Sequence, residues 1–227
     1  MKTFVITIMD LPESIDSAIT TANTCSLYGL SAELFPATVP EDNPTEIIHR
    51  ILGREISTNV LRLEDRMDRV LSCLASQMRL WEWCACDKNS EDFLILEHDA
   101  RMIAPMPDIE VDGVISLGKP SFNEEQHSTH SWKDGINILE GQHRHFYGNH
   151  AILMSPAGAK EVLERMRDPS LRFLHPADLL MKPSIMGEGL LKEYYPFPFD
   201  VEEKFTTVQG DRGTSIKNNV PDDYQQL

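Results

Sequence analysis

Glu97 and Asp99 stand one residue apart, directly after the unbroken apolar run Phe93-Leu94-Ile95-Leu96. Two carboxylates at that spacing can reach a single cation if the chain bends where the strand stops. Their hard oxygen donors and net negative charge suit Mg²⁺ or Mn²⁺, and such an ion can in turn hold a diphosphate. In open α/β sheets the ligand crevice lies outside the carboxyl ends of the strands, which is where this pair falls. A solvated turn is the plain alternative. Other ligand types form weaker patterns. His143 and His145 with His150 match no standard zinc spacing, so the histidines at 127, 130, 143, 145 and 150 read as surface-loop residues. Cys84 and Cys86 are too close together for a routine disulfide, and Cys25 and Cys73 add no paired C-x-x-C. Cys73 has no His or Asp near it in sequence and reads as a small buried hydrophobe rather than a nucleophile.

The acidic pair needs a sheet to carry it. Residues 4–9 (FVITIM) are β-branched and apolar, the pattern of a buried strand. Pro12 opens a helix expected over 12–24, and 30–39 (LSAELFPATV) reads as a second strand that Pro36 confines to an edge or a bend. Strand, helix, strand at this spacing is an α/β opening. Ile47, Ile48, Ile51 and Leu52 mark a short amphipathic turn. From Leu63 to Cys86 there is neither Pro nor Gly, and apolar residues recur every three or four positions, which predicts a long helix. Trp81 and Trp83 cannot share one face of it, so Trp81 should pack and Trp83 should lie nearer the surface. Further strands are expected at 113–117 and 151–154, with a long loop and at most a short hairpin between them over 119–150. Ser155 followed by Pro156 predicts a capped helix start, and a short helix is expected around 177–181.

Composition narrows the classes. Of 227 residues 41% are hydrophobic and 25% charged, as in ordinary globular chains, so disorder and fibrous repeats are excluded as defaults. Acidic residues outnumber basic ones 36 to 21, a net charge of −15, which argues against nucleic-acid and anionic-membrane partners. The N-terminal apolar stretch ends at Asp10, too short for a signal-peptide core, and no run approaches a membrane span. The expectation is a reduced, soluble, cytoplasmic protein.

The stretch from Ser72 to Glu82 (SCLASQMRLWE), followed by Phe93-Leu94-Ile95-Leu96-Glu97-His98-Asp99-Ala100, resembles glycosyltransferase family 25. That family contains lipopolysaccharide-biosynthesis transferases and the collagen galactosyltransferases. Further matches follow in order: Phe4 to Ile8, Leu30 to Thr38, Ala151 to Ala159 (AILMSPAGA), and Pro176-Ala177-Asp178. Together they span about residues 4–208. Three departures stand out. His98 replaces the family's middle acid, Gln77 replaces its histidine after Ser76, and Leu11-Pro12-Glu13-Ser14 stands where an arginine is expected.

The resemblance implies one α/β domain over 1–208, a GT-A-like, mostly parallel sheet flanked by helices; the polar, glycine-containing stretch over 209–227 reads by composition as a mobile tail. It implies transfer of a sugar, with inversion, from a nucleotide-sugar donor to a hydroxyl of a glycan, lipooligosaccharide or protein. Glu97 and Asp99 become the ligands of Mn²⁺ or Mg²⁺, and Ser76, Gln77 and His98 the donor-binding residues. Asp178 becomes the catalytic base, although a helix-start aspartate would look the same in sequence. A non-catalytic GT-A-like binding or assembly module is the alternative, which the three departures suit.

Overall fold

The apolar runs become strands buried on both faces. The structure is a computed structural model, and it describes residues 1–57, 67–86, 88, 90–120, 132–140, 146, 149–172, 174 and 176–201. Strand β1 (Lys2–Thr7) pairs in parallel with β2 (Ala32–Pro36) on one side and with β3 (Phe93–Glu97) on the other. Next to β3 lies β7 (Ala151–Met154), antiparallel, followed by β5 (Val114–Ser116), β8 (Leu191–Tyr195) and β6 (Gly135–Ile138). Three of the six pairings are parallel and three antiparallel, yet five of the seven strands point the same way. The protein is therefore α/β with a mixed, mostly co-directional seven-stranded sheet. A second, two-stranded sheet joins β4 (Ala100–Met102) to β9 (Phe199–Val201).

Strand alternation divides the core in two. Phe4, Phe93, Ile95, Ile152 and Met154 face one apolar cluster; Val5, Leu94, Leu96, Ala151 and Leu153 face the other. Residues 93–96 are all fully buried, so each contributes roughly 1.5–3 kcal/mol and locks the strand that ends at Glu97. The first cluster is roofed by α2 (Pro44–Leu52), α3 (Met67–Cys84) and α4 (Pro156–Arg167), with short helices α5 (Ala177–Leu180) and α6 (Pro183–Met186). The second is covered by α1 (Pro12–Leu27) through Ala18 and Cys25, together with Met102 and Phe199.

Local chemistry explains the element ends. Pro12, Pro44 and Pro156 occupy first helical positions, where the missing N–H costs nothing. Ser155 caps α4 by accepting the Gly158 N–H at 3.0 Å. A Cβ at Gly158 would sit 2.3 Å from the Gly113 carbonyl oxygen, so only glycine lets this helix approach the start of β5 so closely. Trp81 is fully buried while Trp83 is 43% exposed, as the helical phase requires. Pro36 closes β2, which is indeed an edge strand.

Some details differ from the sequence expectation. Within 119–150 the described strand is β6, and it pairs not in a local hairpin but antiparallel to β8, more than fifty residues later. Gly-Ile-Asn-Ile is only half-buried at the sheet edge, which gives it no apolar run. The turn at 44–52 is a complete helix, and 191–195 adds a strand that the residue pattern did not announce. The start of the long helix before Met67 and the tail over 209–227 lie outside the described residues. Among the described residues no helix is long and apolar enough to cross a membrane.

Candidate functional site

β3 delivers Glu97 to the carboxyl end of the sheet, where its N–H donates to the His150 carbonyl at 2.9 Å. Glu97 is half-buried and Asp99 only 6% exposed. The turn between them is tied down by α1. The Thr21 hydroxyl lies 2.6 Å from the His98 carbonyl and 2.7 Å from that of Ala100, and its single proton is shared between them. Arg101 completes the clamp: its Nη1 donates to Thr21 Oγ1 at 2.6 Å and to the Ala100 carbonyl at 2.8 Å, and its Nη2 donates to Ser17 Oγ at 3.0 Å. Thr21 is fully buried, so Thr21→Val should strand these groups and cost about 1–3 kcal/mol. At about 2–4 °C per kcal/mol, a melting-temperature loss of several degrees is expected, with Thr21→Ser restoring most of it. An unchanged melting temperature in the valine variant would show that the clamp contributes nothing.

The opposite side of the triplet is α3. Cys73 lies there in the field of three carboxylates. Its thiol pKa is pushed well above the ordinary value, first by burial and then by Glu97, Asp178 and Asp99. That one thiol senses all three acids places Asp178 in the same neighbourhood as the acidic pair, although about eighty residues separate them in sequence. It also keeps Cys73 a thiol rather than a nucleophile, although the residue is half-buried and not fully enclosed as the sequence reading expected. Asp178 sits in the first turn of α5, whose N-cap, Pro176, offers no side-chain cap. Burial pushes its carboxyl up to about 6, against the pull of the backbone N–H groups of Leu179 and of Asp178 itself. A carboxylate with that value can take up a proton near neutral pH.

The remaining sequence candidates divide. Ser76 is 1% exposed; its hydroxyl donates to the Ser72 carbonyl at 2.8 Å and accepts the Thr38 N–H at 2.8 Å. It braces the segment that follows β2. Gln77 lies one turn beyond Cys73, fully buried, and neither amide atom has a hydrogen-bond partner among the described residues. Leaving such a group unpaired costs about 1–3 kcal/mol, an expense that a bound polar ligand would remove. His98 is held neutral, its pKa lowered to about 4 by burial first and by Arg101 second.

Two residues at this end escape a sequence reading. His150 is 2% exposed at the start of β7, against the surface-loop expectation; the other four loop histidines lie outside the described residues. Gly118 makes room for it, since a Cβ there would sit 2.4 Å from His150 Nε2. Asn149, 5% exposed, has both amide atoms buried without partners among the described residues. Both follow a polar stretch, and only the antiparallel pairing of β7 with β3 carries them beside Glu97.

The donor set suits a hard cation. Among the described residues no three His, Cys, Asp or Glu side chains converge as a ready cage. Carboxylates such as Glu97 and Asp99 are the hard oxygen donors that Mg²⁺ takes together with water and substrate oxygens. A cavity of about 560 Å³ lies along α2, lined by Asn43, His49, Arg50 and Arg54 and by none of the candidate residues. Its cations are engaged: Arg50 pairs with Glu82, and Arg54 donates to the carbonyls of Met166, Asp168 and Leu171. No protein-family model matches the chain, and no curated protein matches it.

Proposed function

We propose that this protein is a metal-dependent glycosyltransferase of GT-A-like fold, similar to family 25, that transfers a sugar from a nucleotide-sugar donor to an acceptor hydroxyl. The observation that carries the reading is that Glu97, Asp99 and Asp178 all lie within electrostatic reach of one thiol, Cys73, with Glu97 ending an interior strand. Glu97 and Asp99 would hold Mn²⁺ or Mg²⁺, which when bound would act as a Lewis acid toward the donor diphosphate. Gln77 offers an unspent amide for the donor. Asp178 is the base: it takes the proton of the acceptor hydroxyl as that oxygen bonds to the anomeric carbon and the bond to the diphosphate breaks. Attack from the face opposite the leaving group inverts the configuration.

Neutral His98 and the absent arginine favour a second reading, a nucleotide-binding module without turnover. A thermal-shift measurement with Mn²⁺ and a panel of nucleoside diphosphates tests what both readings share. At a hundredfold excess over Kd, binding adds about 2.7 kcal/mol, a rise of several degrees in melting temperature. No shift with any nucleotide at millimolar Mn²⁺ would retire the donor site. Release of free nucleoside diphosphate from the matching nucleotide sugar then separates the enzyme from the module.

A further inference from the structure

Trp132, Tyr195 and Phe197 form an aromatic cluster on the far side of the sheet from β2. The Trp132 and Tyr195 rings stack nearly parallel, 9° apart with centroids 5.9 Å distant. Phe197 meets both edge-on, at 5.3 and 5.7 Å. The cluster is anchored from below: Trp132 Nε1 donates to Glu193 Oε2 at 2.9 Å, and Glu193 is only 4% exposed. Phe197 is nearly buried, but Tyr195 is 36% exposed. With both rings beside it, Tyr195 still keeps about a third of its surface open. Gly135 is the direct cross-strand partner of Tyr195, and a Cβ built there meets nothing within 4 Å. Paired residues point to the same side of a sheet, so the glycine leaves the flank of the tyrosine ring open.

The cluster shares a face of the sheet with Glu97. Ile95, Ile152, Ser116 and Glu193 are successive cross-strand neighbours, and Ile95 and Ile152 belong to the helix-covered core. Glu97 follows Ile95 by two residues and Tyr195 follows Glu193 by two, so both lie on that face toward the same end. Three strand spacings, about 14 Å, separate their strands.

Resting on the glycosyltransferase reading, we infer that the Trp132–Tyr195–Phe197 cluster is the acceptor subsite, and that the acceptor is a carbohydrate whose pyranose ring stacks on Tyr195. A rigid aromatic surface offers the apolar C–H face of a sugar a large contact at little conformational cost. The span of about 14 Å leaves room for a donor diphosphate and sugar between the acidic pair and that ring.

Saturation-transfer NMR with lactose, maltose and chitobiose, without nucleotide or metal, tests the subsite apart from the donor reading. Irradiating the aromatic protons should carry saturation to the ring C–H protons of at least one disaccharide. Tyr195→Ala should weaken that binding at least tenfold, while Tyr195→Phe stays within about threefold of wild type; a melting curve confirms that each variant is folded. No transfer to any of the three sugars in a protein that binds nucleoside diphosphate overturns the subsite alone, and the wild-type result stands even if the alanine variant does not fold. Equal binding by a folded alanine variant also overturns it. Saccharide binding by a protein that ignores every nucleotide supports the platform and refutes the donor reading instead.

Discussion

Replacing Glu97 by Gln together with Asp99 by Asn should abolish Mn²⁺-dependent binding of nucleoside diphosphates and leave the fold intact. Both changes preserve shape and remove only the charge that a hard cation needs. Much of what holds this part of the fold lies elsewhere. β3 is held by the fully buried residues 93–96 and by its ladders to β1 and β7, and the turn is held through backbone carbonyls by Thr21 and Arg101. Relieving repulsion between neighbouring carboxylates acts, if anything, in favour of the apo protein. The expected result is an apo melting temperature at or above that of wild type and loss of the several-degree rise that Mn²⁺ with nucleotide confers. Either outcome alone is informative. A variant that still shows the full metal-dependent rise disproves the ligand assignment. A variant that fails to melt cooperatively shows that Asp99, 6% exposed, is a structural acid instead.

The sequence made the scaffold legible where one residue type repeats without interruption. The run from Phe93 to Leu96 announced a doubly buried strand because both faces of β3 are covered, and the apolar periodicity around Trp81 announced α3. Ser155 with Pro156 marked a helix start because capping is a local interaction. What escaped was set by distant partners. β6 and β8 are half-polar strands that make sense only as each other's neighbours, and the β4–β9 pair joins segments about a hundred residues apart. The site followed the same rule. Glu97 and Asp99 stood out because an apolar strand ends in acid. His150 and Asn149 did not, because their burial depends on β7 running antiparallel between β3 and β5. Ser76 was visible but its task was not: a hydroxyl on a helix looks alike whether it meets a ligand or, as here, the Thr38 backbone.

Asp178→Asn should lower turnover about 10²- to 10⁴-fold, or roughly 3–5 kcal/mol of barrier, with little change in donor affinity. The amide keeps the shape of the carboxylate but cannot accept the acceptor's proton. The same substitution should act on stability in a direction that a helix-start role forbids. The carboxyl of Asp178 titrates near 6 in the folded protein and near 3.8 when unfolded, because burial penalises the charged form. Below pH 4 both states are protonated and nothing is lost. As pH rises from 4 to 6 the unfolded chain releases its proton first, so folding stability falls, and the deficit persists at higher pH. For a partly exposed group the deficit is at most about 3 kcal/mol. The asparagine variant should therefore melt higher than wild type at pH 8 and converge with it at pH 4. His98 contributes with the opposite sign. Its value of about 4 means that stability falls as pH drops below its ordinary 6.5, so the two proteins must be compared at each pH, where that contribution cancels. A helix-start aspartate predicts instead a loss of about 0.3–1 kcal/mol at neutral pH and no change in turnover per folded molecule. The wild-type rate should climb with pH through about 6 and then level, following ionisation of the base, and the variant should lack that step. A destabilised asparagine variant with full specific activity would remove Asp178 from the reaction and point to another carboxylate at the end of β3.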